Sequence, residues 1–411
     1  MIGRCSATLF ILMAVTMLAC SDEGTKSKNS PPERPHDPVP ADGAAAQAAY
    51  LTLMWQCLDP ENDILFFDVL IDTVNPPVRK LPQLREVREV EVAVSQGRQY
   101  FWRVLALDTA GNTDISPVWS FRTGTFTDGW STGAPLQTAR IGAMGAAVGG
   151  KIYVFGGIGF EGYLGSSEEY NPSTDSWRYV ANLATARAYG AAVTLGGQIY
   201  VIGGTPAGSL VDCYDPDTDT WKPAAPLPTP RSRFAADTAN GRIYVFGGYE
   251  NDLPILEYDP SADHWQAVAS LTSPRNGFSA TTLAGKIYLI GGSSATQPWL
   301  DRCDRFDPVT HGMGPRAAIP SFRRDHRAVT LDDLIYVTGG FNAITVHRFF
   351  ASLEVYDPVT DTWRTKSSMT SPRHDHVAVA LDGLIYCIGG LTDAAPDILN
   401  SVEVYSPIQD P

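Results

Sequence analysis

Residues 187–204 read Arg-Ala-Tyr-Gly-Ala-Ala-Val-Thr-Leu-Gly-Gly-Gln-Ile-Tyr-Val-Ile-Gly-Gly, and Tyr214-Asp-Pro-Asp-Thr-Asp-Thr-Trp221 follows ten residues later. An apolar strand, a short β run ending in a glycine doublet, and an Asp-Pro turn leading to Trp make up this skeleton. It recurs six times. Glycine doublets begin at Gly156, Gly203, Gly247, Gly291, Gly339 and Gly389, each with a Tyr three residues earlier. An Arg stands thirteen residues before each of those tyrosines, at 140, 187, 231, 275, 323 and 373. Ten residues before each Arg lies Trp130, Trp177, Trp221, Trp265, Met313 or Trp363. Tyr170, Tyr214, Tyr258, Phe306 and Tyr356 precede the last five of these by seven residues and lead an Asp/Asn-Pro turn. A fixed period of this length marks a repeat architecture, in which each copy is one supersecondary unit that needs its neighbours to bury its faces.

The physical roles of these residue types agree with such a unit. Glycine doublets permit positive φ and close backbone approach where a strand ends. Asp-Pro starts a turn through an Asx side-chain bond and a preset φ. The repeated Trp and Tyr supply large apolar areas for packing. Arg, apolar strand, Tyr-x-x-Gly-Gly, variable loop and Tyr-Asp-Pro-x-Thr-x-x-Trp together resemble the kelch repeat, from Trp130 to the end of the sequence. The resemblance implies an all-β fold, a β-propeller with one four-stranded blade per repeat. Trp130 precedes the first Arg without a blade of its own, and no Trp follows Tyr405. The segment around Trp130 is therefore expected to be the outermost strand of the last blade. A six-bladed ring over residues 126–411 would then be closed by a pairing of 128–136 with 402–408.

Composition fits a turn-rich β protein: Gly 37 and Pro 30 in 411 residues, with charged residues at 18%. At 44% hydrophobic the chain can fill a core, which excludes disorder. The net charge of −14 repels nucleic acid, so no nucleic-acid partner is expected. Residues 1–19 carry Arg4 and then an apolar run too short to span a bilayer, as a cleaved signal does. Met17-Leu-Ala-Cys20 resembles a bacterial lipobox. That resemblance implies lipidation at Cys20, a membrane contact through the lipid anchor, and a place in the bacterial cell envelope, at the outer membrane or the periplasmic face. Residues 20–37 read as a flexible tether. From 38 to 124, short strand signals separated by turns suggest a sandwich. With Trp55 and the Tyr100/Trp102 pair, this part resembles a fibronectin type III domain. Cys57, Cys213, Cys303 and Cys387 fall in different units and are expected to stay unpaired.

Repetition also separates scaffold from function. The six repeated arginines, the tyrosines and the doublets are scaffold first, the arginines pairing with acids of neighbouring blades. The five-residue stretches starting at each repeat Arg nevertheless hold nine Arg and two Asp, a net of +7. The loops from doublet to aromatic residue, on the same face, hold thirteen acids and three Arg. A basic channel mouth inside an acidic rim would attract a protein or glycan ligand with acidic groups. The ligand-binding candidates are the non-repeated Arg233, Arg324, Asp325, Arg327, His374 and Asp375, with Tyr249, Trp299 and Phe341 from the variable loops. Phe160, Tyr163, Phe349 and Phe350 belong to the same aromatic set. Arg233 also matches the second arginine position of kelch propellers that bind acidic peptides. The alternative is enzymatic. Exported kelch proteins include sialic acid mutarotases, and the resemblance implies acid–base work by His376 and Asp375 beside an Arg324 clamp. Two histidines, His326 and His376, lack a third ligand, so neither metal nor cofactor is expected. Copper-radical kelch oxidases need a Cys–Tyr cross-link, and only Cys303 lies near a mouth loop.

Overall fold

The computed structural model describes residues 29–47, 50–94, 98–123, 129–249, 254–343, 348–393 and 397–407. Residues 1–28, with the signal and Cys20, lie outside them, as does the 124–128 junction. No helix among the described residues is long and apolar enough to cross a membrane.

The N-terminal unit has two sheets over one core. His36–Val39, Tyr50–Gln56 and Glu89–Ala93 form one sheet, and Phe66–Asp72, Gln99–Leu107 and Trp119–Thr123 the heart of the other. Trp55, Phe67, Trp102 and Trp119 fill the space between, with Trp55 edge-on to Phe67 at 5.4 Å. The first strand begins inside the stretch read as tether. Before it, Asn29 donates to Asp108 and the Glu33 N–H to the Leu58 carbonyl, so residues 29–37 run along this unit.

The rest forms six four-stranded antiparallel sheets. Five are continuous in sequence; the first is Met144–Val148, Lys151–Phe155, Ser167–Asn171 and Ser176–Val180. The sixth joins Val377–Leu381, Leu384–Ile388 and Val402–Ser406 to Gly129–Gly133, with Trp130 opposite Tyr405. The expected clasp is thus present. The innermost strands touch in a closed circle, the sixth against the first. Each inner strand leaves an unpaired edge toward a central channel.

Repeated residues hold four of the sheets to the preceding one. Asp219 accepts the Tyr214 hydroxyl proton and the Ala181 N–H, while the Trp221 indole donates to the Ala181 carbonyl. Asp175, Asp263 and Asp361 repeat this arrangement. The fourth sheet has Phe306, His311 and Met313 at the three places and makes no such staple. There Ala269 pairs instead with Ile255 in the lengthened hairpin of the third sheet.

Candidate functional site

Six residues, each two past a repeat arginine, meet at one end of the channel: Gly142, Tyr189, Arg233, Gly277, Asp325 and Asp375. Each backbone N–H donates to the carbonyl of its counterpart in the preceding sheet at 2.7–2.9 Å, and Gly142 closes the circle on Asp375. All six have φ between 51° and 61°, a left-handed conformation costing non-glycine residues about 1–2 kcal/mol each. One hydrogen bond of about 1 kcal/mol per residue offsets much of that. The ring also explains two glycines. A Cβ on Gly142 would stand 2.6 Å from the Tyr189 ring, and one on Gly277 2.7 Å from the Asp325 carboxylate.

The ring side chains converge on Arg233. Its Nη1 donates to Asp325 Oδ1 at 2.7 Å and lies 3.4 Å from Asp375 Oδ1, while Tyr189 covers the guanidinium at 3.9 Å. Asp325 and Asp375 are 3% and 4% exposed. Burial, and then the neighbouring Asp375, push the Asp325 carboxyl up to about 6. Burial acts on Asp375 too. The hydrogen bond from His374 and the charge of Arg233 outweigh it and hold that carboxyl below its ordinary range. Beneath the ring lies a cavity of about 530 Å³ lined by the inner strands, with Arg327 and Asp237 on its wall. Arg327 donates to the His326 carbonyl.

Beside the ring, three sheets contribute a wall of rings around Arg324. Its guanidinium lies 5.3 Å from the Trp299 centroid and 4.8 Å from that of Phe341. His374 packs on Phe341 and Phe349 at 4.6 and 4.8 Å and points Nδ1 at Asp375 Oδ2, 3.2 Å away. Arg324 Nε faces Asp325 Oδ2 at 3.2 Å, and its side chain is 32% exposed. None of the described residues accepts a hydrogen bond from its two terminal amino groups. The arrangement is a half-exposed, stacked guanidinium fork, suited to a carboxylate or similar oxyanion.

The structure thus brings together Arg233, Arg324, Arg327, His374, Asp375, Trp299 and Phe341. Tyr249 stands apart, exposed, on the Ser232 side of the mouth. Phe160 and Tyr163 are exposed on a hairpin tip, whereas Phe350 is buried under Arg323. His376 is not in the site. It is 0% exposed, its ring lies against Gly339, and its Nε2 meets Thr338 Oγ1 at 2.8 Å. Burial drives the imidazole well below its ordinary pKa, so it is neutral and shielded from any mouth ligand. The histidine beside Asp375 in the mouth is His374. Its column, three past each repeat Arg, reads Ala143, Gly190, Phe234, Phe278, His326 and His376. Phe234, Phe278 and His326 likewise sit on the preceding sheet's doublet. Comparing columns identifies both histidines as core residues in phenylalanine positions.

The repeat arginines need a second correction. They turn into their own sheets, not toward neighbours: Arg140–Glu168, Arg187–Asp212, Arg275–Asp304, Arg323–Glu354 and Arg373–Glu403 pair at 2.5–3.0 Å. The basic mouth therefore shrinks to Arg233, Arg324 and Arg327 against Asp325 and Asp375. Tyr189, which supports Arg233, lies in the Arg-led segment and not in a variable loop, so the loop aromatics do not point to it. Asp325, His374 and Asp375 offer donor atoms within 4.8 Å of one another. The guanidinium of Arg233 already occupies the space between the two carboxylates, so the set is an arginine–aspartate network. Cys57, Cys213, Cys303 and Cys387 are buried free thiols.

A closed circle of four-stranded sheets, each carrying the buried Arg and the Tyr-x-x-Gly-Gly, with the Tyr–Asp–Trp staple in four of them, defines a kelch-type β-propeller. Residues 95–248 and, overlapping them, 191–390 match the KLHDC2/KLHL20/DRC7 Kelch-repeats domain, and 372–410 match the Kelch motif; the chain belongs to the kelch-repeat family. A solved structure titled "Structure of YjhT" is similar in fold, with a TM-score of 0.58 at 16% identity, covering 67% of this chain and 97% of that one. No curated protein matches the chain in sequence.

Proposed function

We propose that this protein is a binding protein of the bacterial cell envelope, held to the membrane by a lipid on Cys20. Its fibronectin type III-like unit is the spacer, and its six-bladed kelch propeller receives a protein or glycan ligand with acidic groups at the channel mouth. One observation carries the reading: Arg324 is half-exposed between Trp299 and Phe341, and none of the described residues accepts a hydrogen bond from its terminal amino groups. Arginines whose donors are all engaged serve the fold; an arginine stacked on aromatic rings, with a carboxylate only at its Nε side, has terminal donors to spare for a ligand. The test is a panel of acidic glycans and peptides screened against the purified protein and its Arg324→Ala variant. Retained hits that weaken with salt support the reading. Hits that ignore Arg324→Ala remove its basis.

A second reading, a proton-transferring sugar enzyme of the sialic acid mutarotase type, draws on the His374–Asp375 pair. The Asp375 carboxylate engages His374 Nδ1, which leaves Nε2 as the nitrogen able to take a proton. NMR exchange between sialic acid anomers decides it: acceleration lost in His374→Ala but kept in His376→Phe supports an enzyme.

A further inference from the structure

We propose that Asp325 sets the mouth's affinity for an acidic ligand by competing with it for Arg324, so that binding tightens as Asp325 takes up a proton. The inference rests on the mouth reading above and names the residue that regulates it. The two oxygens of Asp325 face different cations. Oδ1 accepts the Arg233 hydrogen bond at 2.7 Å, whereas Oδ2 lies 3.2 Å from Arg324 Nε and accepts no hydrogen bond from the described residues. Arg324 is thus held by charge rather than by aligned donors, and its terminal amino groups stay available.

The other charged groups around Asp325 come from every element packed on it. Asp375 shares Arg233, His374 lies behind Asp375, Arg327 rises from the adjoining inner strand, and Tyr189 comes from across the ring. With three arginines against two aspartates, the mouth carries one surplus positive charge, and protonating Asp325 doubles it. Burial and Asp375 hold this carboxyl near 6, within reach of mild acidification. A ligand carboxylate on Arg324 would lie close to Oδ2. The ionised form repels it, and the protonated form has a hydrogen to donate. A like charge a few ångströms away in a half-buried site changes affinity by about tenfold.

The experiment measures binding of trigalacturonic acid to the intact protein by calorimetry from pH 5 to 8, a range in which the probe's carboxyls remain ionised. Carbon-13 NMR follows the Asp325 carboxyl without ligand. The expected result is binding about tenfold tighter at pH 5 than at pH 8, with both curves centred near pH 6. Asp325→Asn should hold the affinity at the tight end across the range. A flat wild-type profile whose binding still depends on Arg324 overturns the competition and leaves the mouth reading standing. Binding that survives Arg324→Ala overturns both. An Asp325 midpoint near the ordinary 3.8 overturns the competition whatever the probe or the variant does.

Discussion

Arg231 and Arg233 are separated by one residue and do opposite things. Arg231 is 1% exposed and turns into its own sheet, donating to the Gly247 and Pro254 carbonyls. Arg233 turns to the channel and bridges Asp325 and Asp375 from two other sheets. The first belongs to a column filled by arginine in all six copies; the second to a column reading Gly, Tyr, Arg, Gly, Asp, Asp. The backbone ring demands only a left-handed φ of that second column and leaves its side chains free to vary. In a repeat protein, adjacent columns can therefore carry scaffold and chemistry side by side.

The largest expected effect breaks the first column. Arg373→Met takes the cation from the buried Glu403, which keeps its hydrogen bonds from the Thr370 and Ser371 N–H groups, a loss toward the lower end of about 3–5 kcal/mol. Arg231→Met should cost less, about 1–3 kcal/mol, because it leaves only carbonyls without donors. The two melting temperatures, read by calorimetry at pH 7, test the contrast. Equal losses would mean the carboxylate partner contributes nothing to the arginine's worth. Arg233→Met comes next, at about 1–2 kcal/mol, since its side chain is 23% exposed and water screens the aspartates it leaves. It should also raise the Asp325 midpoint, which NMR reads directly.

Blade three sharpens the comparison from within the first column. Leu256 stands where the other sheets carry Glu168, Asp212, Asp304, Glu354 and Glu403, so Arg231 has no carboxylate partner among the described residues, and burial pulls its pKa down to about 10. Leu256→Glu should supply the partner, and Leu256→Gln should not. We expect the glutamate variant to be the more stable by about 1–2 kcal/mol, with the advantage vanishing in the Arg231→Met background. An advantage that persists without Arg231 would show that the pair is not what stabilises it.

Sequence reading recovered the six copies and the clasp because their residues are fixed by local demands: a turn, a positive φ, an aromatic face. It failed where direction matters. Whether a side chain in the Arg-led segment points into its sheet, across the channel or under the next doublet depends on columns one residue apart. Charge summed over whole segments mixed all three, which is how five internally paired arginines passed for a basic mouth. The same mixing chose His376 over His374, although the phenylalanines aligned with His376 mark its column as core.

The smallest effect concerns a second pair of like residues in different settings, Asp237 and Asp325, both pushed up to about 6. Asp325 has two arginines beside it. Asp237, on the channel wall, is helped among the described residues by the Thr238 N–H at 2.8 Å and by Thr282. Because its folded pKa lies above the ordinary 3.8, the native state holds this proton more tightly than the unfolded chain does. Its share of stability is therefore greatest in acid and declines as pH rises through about 6, beyond which the penalty is constant. Asp237→Asn removes the titration. The variant should match the wild type near pH 4 and exceed it at pH 8 by on the order of 1–2 kcal/mol, a few degrees in melting temperature. A gap that stays constant from pH 4 to 8, or reverses sign, would show that channel groups compensate the burial of Asp237.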